Sequence, residues 1–224
     1  METGTPEALM ARDFESMFAP ADLHPDLAAY LVKGPPFDML QHPLVYSVPY
    51  HEVMNNHHNQ RYEMLKADAE KALKEGRAFH YVFQYERPYR LNALCDYLDR
   101  KTLKDGDYWD LLGAVWTDSE NCWQNLEIWK RLLRSKRSQK FRFMDETERK
   151  ALKELPAEFT VYRGCVRGLN EEGLSWTLNK DKAEWFSQRW RRKDETAIVL
   201  TKTVSRKQVF AYLLGRGESE VIIL

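Results

Sequence analysis

The periodicity of the chain changes at Pro156. Before it, apolar residues recur every three or four positions. After it they fall into four short runs bounded by polar and glycine-rich segments: 159–162 (FTVY), 174–178 (LSWTL), 197–203 (AIVLTKT) and 220–224 (EVIIL). A period of 3.6 residues suits helices, and short β-branched and aromatic runs suit strands. Helices first and a mixed sheet later suggest an α+β fold.

Within the first part, seven of the nine prolines lie in residues 1–56. Proline removes a backbone donor and breaks helices, so this stretch is expected to be irregular, with short helices at 6–17 and 26–31. Tyr62, Leu65, Ala69 and Leu73 share one helical face and Gly76 suits a left-handed stop, predicting a helix over 58–75. Residues 78–85 (AFHYVFQY) are aromatic-rich and read as a strand. Pro88 suits the first turn of a helix carrying Leu91, Leu94, Cys95 and Leu98. A longer helix is expected over 108–135, its core stripe including Trp109, Trp116 and Trp123, and Asp145 with Glu148 forms a capping box before a helix ending near Leu155. Two further helices are expected at 181–191 and 206–213, capped by Asn179 and Ser205. The first domain boundary is expected at 78/79, dividing a Pro-rich helical extension (1–78) from the domain at 79–224.

Composition narrows the function classes. Lys plus Arg and Asp plus Glu number 34 each in 224 residues, so the formal net charge is zero. That argues against a nucleic-acid coat or a membrane-surface protein. The three cysteines, Cys95, Cys122 and Cys165, are widely spaced with no CxxC, which suggests neither a zinc knuckle nor a disulfide framework; reduced thiols and a cytoplasmic location are the expectation. The first 18 residues carry no secretory h-region and no apolar run reaches the roughly 20 residues of a membrane helix. His51-Glu52 and His57-His58 lack the H-E-x-x-H spacing, because position 55 is Asn, and no metal is expected. Lys130, Arg131, Arg134, Lys136, Arg137, Lys140 and Arg142 include no acid among them and form a candidate patch for an acidic or nucleic-acid-associated partner. The alternative reading of that run is a solvated helix end.

Three short motifs mark strand ends. Arg163 closes Val161-Tyr162-Arg163-Gly164, Ser175-Trp176-Thr177 lies in the second run, and Glu218-Ser219-Glu220 opens the last. Alternation along a strand would put Glu218 and Glu220 on one face, where two carboxylates repel unless a cation visits them. With Ala183-Glu184-Trp185-Phe186 between them, the last 65 or so residues resemble the mono-ADP-ribosyltransferases of the R-S-E class, which include arginine-specific toxins, ectoenzymes and phage enzymes. The departures are Trp176 and Thr177 in the serine motif and an end four residues after Glu220.

The resemblance implies an ADP-ribosyltransferase-like sheet domain over 79–224, with a cleft between sheets for NAD⁺, which serves as substrate. It implies Glu220 as the acid facing the ribose cation, Ser175 as the hydroxyl that orients Glu220 or the ribose, and Glu218 as the group that engages the acceptor. Arg163 would hold the pyrophosphate, with Tyr162, Gly164, Trp176 and Thr177 also in the cofactor site. The acceptor would be an arginine of a target protein. Water as acceptor, giving an NAD glycohydrolase, and a silent binding module are the alternatives.

Overall fold

A computed structural model describes residues 19–120, 122–189 and 191–224. The helix expected at 6–17 lies outside the described residues. Two compact units divide at Thr102/Leu103, 24 residues beyond the boundary expected at 78/79.

In the first unit a short helix, Pro25–Ala28 (α1), precedes an antiparallel sheet of Leu31–Val32 (β1), Met39–His42 (β2) and Tyr46–Pro49 (β3), in that order. The described part of the proline-rich stretch is thus more regular than expected: Pro35, Pro36 and Pro43 fall between strands, Pro49 ends β3, and Pro25 opens α1, where its missing N–H costs nothing. Helix Asn55–Glu75 (α2) stops where expected: Gly76 takes φ 76° and its N–H returns to Ala72 O and Leu73 O. Residues 78–85 do not form a strand. Ala78–Gln84 is a helix (α3) that buries Ala78, Tyr81 and Val82, an i, i+3, i+4 face that outweighs the β propensity of its aromatics. Helix Arg90–Arg100 (α4) follows one 3₁₀ turn at Arg87–Tyr89.

The second unit opens with helix Asp105–Asp118 (α5), and the long helix expected over 108–135 is broken here. After residues 119–121, a 3₁₀ turn at Cys122–Asn125 precedes helix Leu126–Leu133 (α6). Ser119 and Asn125 suit the break, since short polar side chains compete with the helical backbone. A 3₁₀ turn at Lys140–Phe143 packs on α5 so closely that a Cβ at Gly113 would stand 2.4 Å from Phe143 O. Helix Glu146–Glu154 (α7) carries the expected capping box, with Glu148 N donating to Asp145 Oδ1 at 2.8 Å and Asp145 N to Glu148 Oε2 at 3.0 Å.

Strands Glu158–Val166 (β4), Ser175–Thr177 (β5), Ala197–Ser205 (β6), Val209–Leu213 (β7) and Glu220–Ile223 (β8) form one antiparallel sheet in the order β6-β4-β5-β8-β7. Helix Lys180–Arg189 (α8) connects β5 to β6. Ser205 caps only one 3₁₀ turn, Arg206–Gln208, and the rest of the helix expected at 206–213 is strand β7. Phe210 to Leu213 are all buried, so β7 shows none of the alternation that marks a strand in sequence. Trp109, Trp116, Trp129, Phe143 and Phe210 form the aromatic core, with Trp116 edge-on to Trp129 at 4.9 Å and Phe143 edge-on to Phe210 at 5.1 Å. Among the described residues no helix is long and apolar enough to cross a membrane.

Candidate active site

Cross-strand pairing builds the site. Tyr162 pairs with Thr177, and Thr177 with Glu220, so three residues from β4, β5 and β8 stand in one row. Directly paired residues share a sheet face, and Ser175, two residues from Thr177, shares it too. A cavity of about 130 Å³ lies beside this row and is lined by all eight residues singled out in the sequence: Tyr162, Ser175, Thr177 and Glu220 from this face, and Arg163, Gly164, Trp176 and Glu218 around it. Its other wall comes from Trp116 near the end of α5, from Ser119, Glu120, Cys122 and Trp123, and from Phe186 and Arg189 of α8. The cavity therefore lies between a sheet and helical segments of one unit, not between two sheets as the resemblance implied.

Glu218 reaches the cavity by a different route from the one expected. It precedes β8 with φ −93° and ψ −16°, and Ser219 takes φ 45°, so a turn rather than strand alternation sets the two acids. Thr177, 5% exposed, holds that turn: its hydroxyl donates to Glu218 O at 2.6 Å and accepts from Asn179 N at 3.0 Å. Its role is to fix the backbone of Glu218. Asn179 in turn caps α8 through Lys182 N at 3.1 Å.

Arg163 is 8% exposed, and its guanidinium is bound to main-chain carbonyls. Nη1 donates to Ser175 O at 2.5 Å, while Nε and Nη2 donate to Asn170 O at 3.2 and 2.8 Å. A Cβ at Gly173 would fall 1.8 Å from Nη2, so the cation is seated where only glycine fits. Burial lowers the guanidinium pKa, while Cys165, Cys122 and Glu220 act to raise it. The charge stays, since arginine is not deprotonated in proteins. With three of five N–H groups committed, Arg163 ties the 170–175 loop to β4 and sends a fixed positive field into the cavity. A phosphate would meet only its remaining donors.

Gly164 is a packing glycine. A Cβ there would stand 1.8 Å from Ala183 O, so α8 lies directly on β4. Trp176 packs against the core cluster around Val161 and Val221, and Lys202 Nζ sits 3.9 Å from its ring centroid. Burial lowers the Lys202 pKa, with Arg163 adding in the same direction. One face of Trp176 is thus already covered.

Trp116, Glu120 and Trp123, which the sequence did not single out for the site, also line the cavity, as does Arg189, whose run with Arg191, Arg192 and Lys193 reads in sequence either as helix-end cations or as a rim of the cleft. Trp116 Nε1 donates to Glu220 Oε1 at 3.2 Å, and Glu120 lies 3.9 Å from Arg189 Nη2. Arg189 ends α8 with its side chain 29% exposed, more open than Arg163. Trp123 belongs to the expected core stripe, yet it is half-buried and faces the cavity. Nothing in its spacing distinguishes it from Trp109 and Trp116.

The basic run from Lys130 does not line the cavity. Arg137 is held by Asp105 and Leu103 O, Arg142 by Asp110, and Lys130 by Glu127, while Lys140 lies over Phe210. Arg131, Arg134, Lys136, Lys140 and Arg142 are all exposed. Among the described residues no group of three or more His, Cys, Asp or Glu is placed to hold a metal. No protein-family model matches the chain, nor does any curated protein or solved structure.

Proposed function

We propose that the second unit is an ADP-ribosyltransferase-like domain that transfers ADP-ribose from NAD⁺ to an arginine of a protein. The observation carrying this reading is the convergence of Arg163, Ser175, Glu218 and Glu220, from separate segments, on one cavity. Cleavage of the nicotinamide–ribose bond leaves positive charge on the ribose carbon, as in glycoside cleavage, and nicotinamide departs with the electron pair. Glu220, on the row with Thr177 and Tyr162, is the carboxylate suited to stabilise that charge. The guanidinium nitrogen of the acceptor forms the new bond to that carbon, and Glu218 positions it and takes its proton. Arg189 is the more open arginine of the cavity and suits the pyrophosphate, with Arg163 shaping the wall beneath.

The test is paired: nicotinamide release from NAD⁺ by the purified protein, and incorporation of labelled ADP-ribose into lysate protein located by mass spectrometry. Label on arginine supports the reading. Nicotinamide release without label points to water as the acceptor, and absence of both removes the assignment.

A further inference from the structure

Trp116 has the burial of a core residue and the contact of a site residue. Its side chain is 1% exposed, set edge-on to Trp129 at 4.9 Å and to Phe143 at 6.5 Å, so packing fixes the plane of its ring. Its one polar atom, Nε1, donates to Glu220 Oε1 across 104 residues of sequence. A buried indole needs such a partner, and this one finds it on the carboxylate that faces the cavity.

We infer that Trp116 is the positioning residue for Glu220. The inference rests on the proposed reaction only in that Glu220 is the reacting acid. Two properties of indole suit the task. It is a donor only, so it cannot take the proton or accept a competing bond. It is also neutral, so it orients the carboxylate without cancelling the negative charge that must meet the ribose cation. A lysine or arginine in its place would align Glu220 equally well and blunt that attraction. The strand contributes the other half of the grip, because the backbone of Glu220 is paired to Thr177 on one side and Leu213 on the other. The resemblance gives the orienting role to Ser175. The bond from α5 supplies a second means of orientation, from outside the sheet.

Indole proton NMR of ¹⁵N-tryptophan-labelled full-length protein reads the contact directly. The chain has seven tryptophans, and Trp116→Phe identifies the resonance of Trp116. Glu220→Ala should move that resonance upfield by far more than Glu218→Gln does. In nicotinamide-release assays Trp116→Phe should lower kcat roughly tenfold or more, the value of one hydrogen bond to a charged group, and change KM for NAD⁺ by no more than about twofold. Trp129→Phe disturbs the same aromatic cluster without removing the donor and should cost less than about threefold. A Trp116 resonance indifferent to Glu220→Ala overturns the inference, as do equal losses of kcat in Trp116→Phe and Trp129→Phe. If the wild-type protein releases no nicotinamide while the resonance still moves, the reaction is wrong and the contact stands.

Discussion

At the scale of single residues, the two acids of the last motif are separable by experiment. Glu220 is fixed by β8 and the Trp116 indole, whereas Glu218 hangs on the turn that Thr177 holds. Glu220→Gln keeps the shape and removes the charge, so nicotinamide release and transfer should both fall by about 10²–10³. Glu218→Gln should reduce transfer much more than hydrolysis, because water needs no carboxylate to hold a cation. Equal losses in the two assays would mean that the acids act as one group. Gly173→Ala addresses Arg163. A methyl group there displaces the guanidinium from Ser175 O and Asn170 O, leaving a buried cation unpaired at a cost of about 3 kcal/mol or more in unfolding free energy. Denaturant unfolding of the variant measures that loss. A near-neutral substitution would show that the cation has another seat.

Among the elements, α8 on β4 is the closest approach. Gly164→Ala sets a methyl against the carbonyl of Ala183 and the amide of Ser187, neither of which is a side chain that can swing away. Overpacking of this kind costs about 1–3 kcal/mol, and α8 should lift with Arg189 and Phe186, so KM for NAD⁺ should rise along with the loss in thermal midpoint. What was legible in the sequence follows the same division. The β4, β5 and β8 motifs could be read because each pairs a short apolar run with a polar residue facing the cavity. Strand β7 could not, since a strand covered on both faces has no alternation. Residues 78–85 misled because their aromatics favour strands on propensity while their spacing is helical. The wall of the cavity from Trp116 to Trp123 was hidden for a different reason. Nothing local in a tryptophan stripe says that one indole will meet a carboxylate 104 residues away.

On the scale of the whole molecule, the six histidines, at positions 24, 42, 51, 57, 58 and 80, all lie in the first unit, and none lies between Leu103 and Leu224. His42 and His58 are buried, and burial pushes both below the usual imidazole range of 6.5. Asp26 opposes that shift at His42 while His24 and Lys66 add to it; His57 and Arg61 add to it at His58. Below pH 6.5 the unfolded chain takes up protons that these two sites refuse, so stability is full above that pH and declines as the pH falls toward their folded values. Asp26 and Asp68 are shifted below 3.8 and lose their contribution only at lower pH. Thermal unfolding between pH 7.5 and 5.5 should therefore weaken residues 19–102 first. Limited proteolysis reads where, and early cleavage within 103–224 would contradict it. In consequence no histidine lines the candidate site.

Strand β8 is interior, laddered to β5 on one side and β7 on the other. Moving the backbone of Glu220 would mean opening two ladders at once, so the sheet half of the cavity behaves as a fixed bed. The facing residues Ser119, Glu120, Cys122 and Trp123 lie between helices α5 and α6 and belong to no strand ladder. Under the proposed function, the bond-cleaving carboxylate and the surface that admits a partner would reside in parts of the chain that can be altered separately. Substitutions at these facing residues would then change which surface is admitted while leaving Glu220 on its strand.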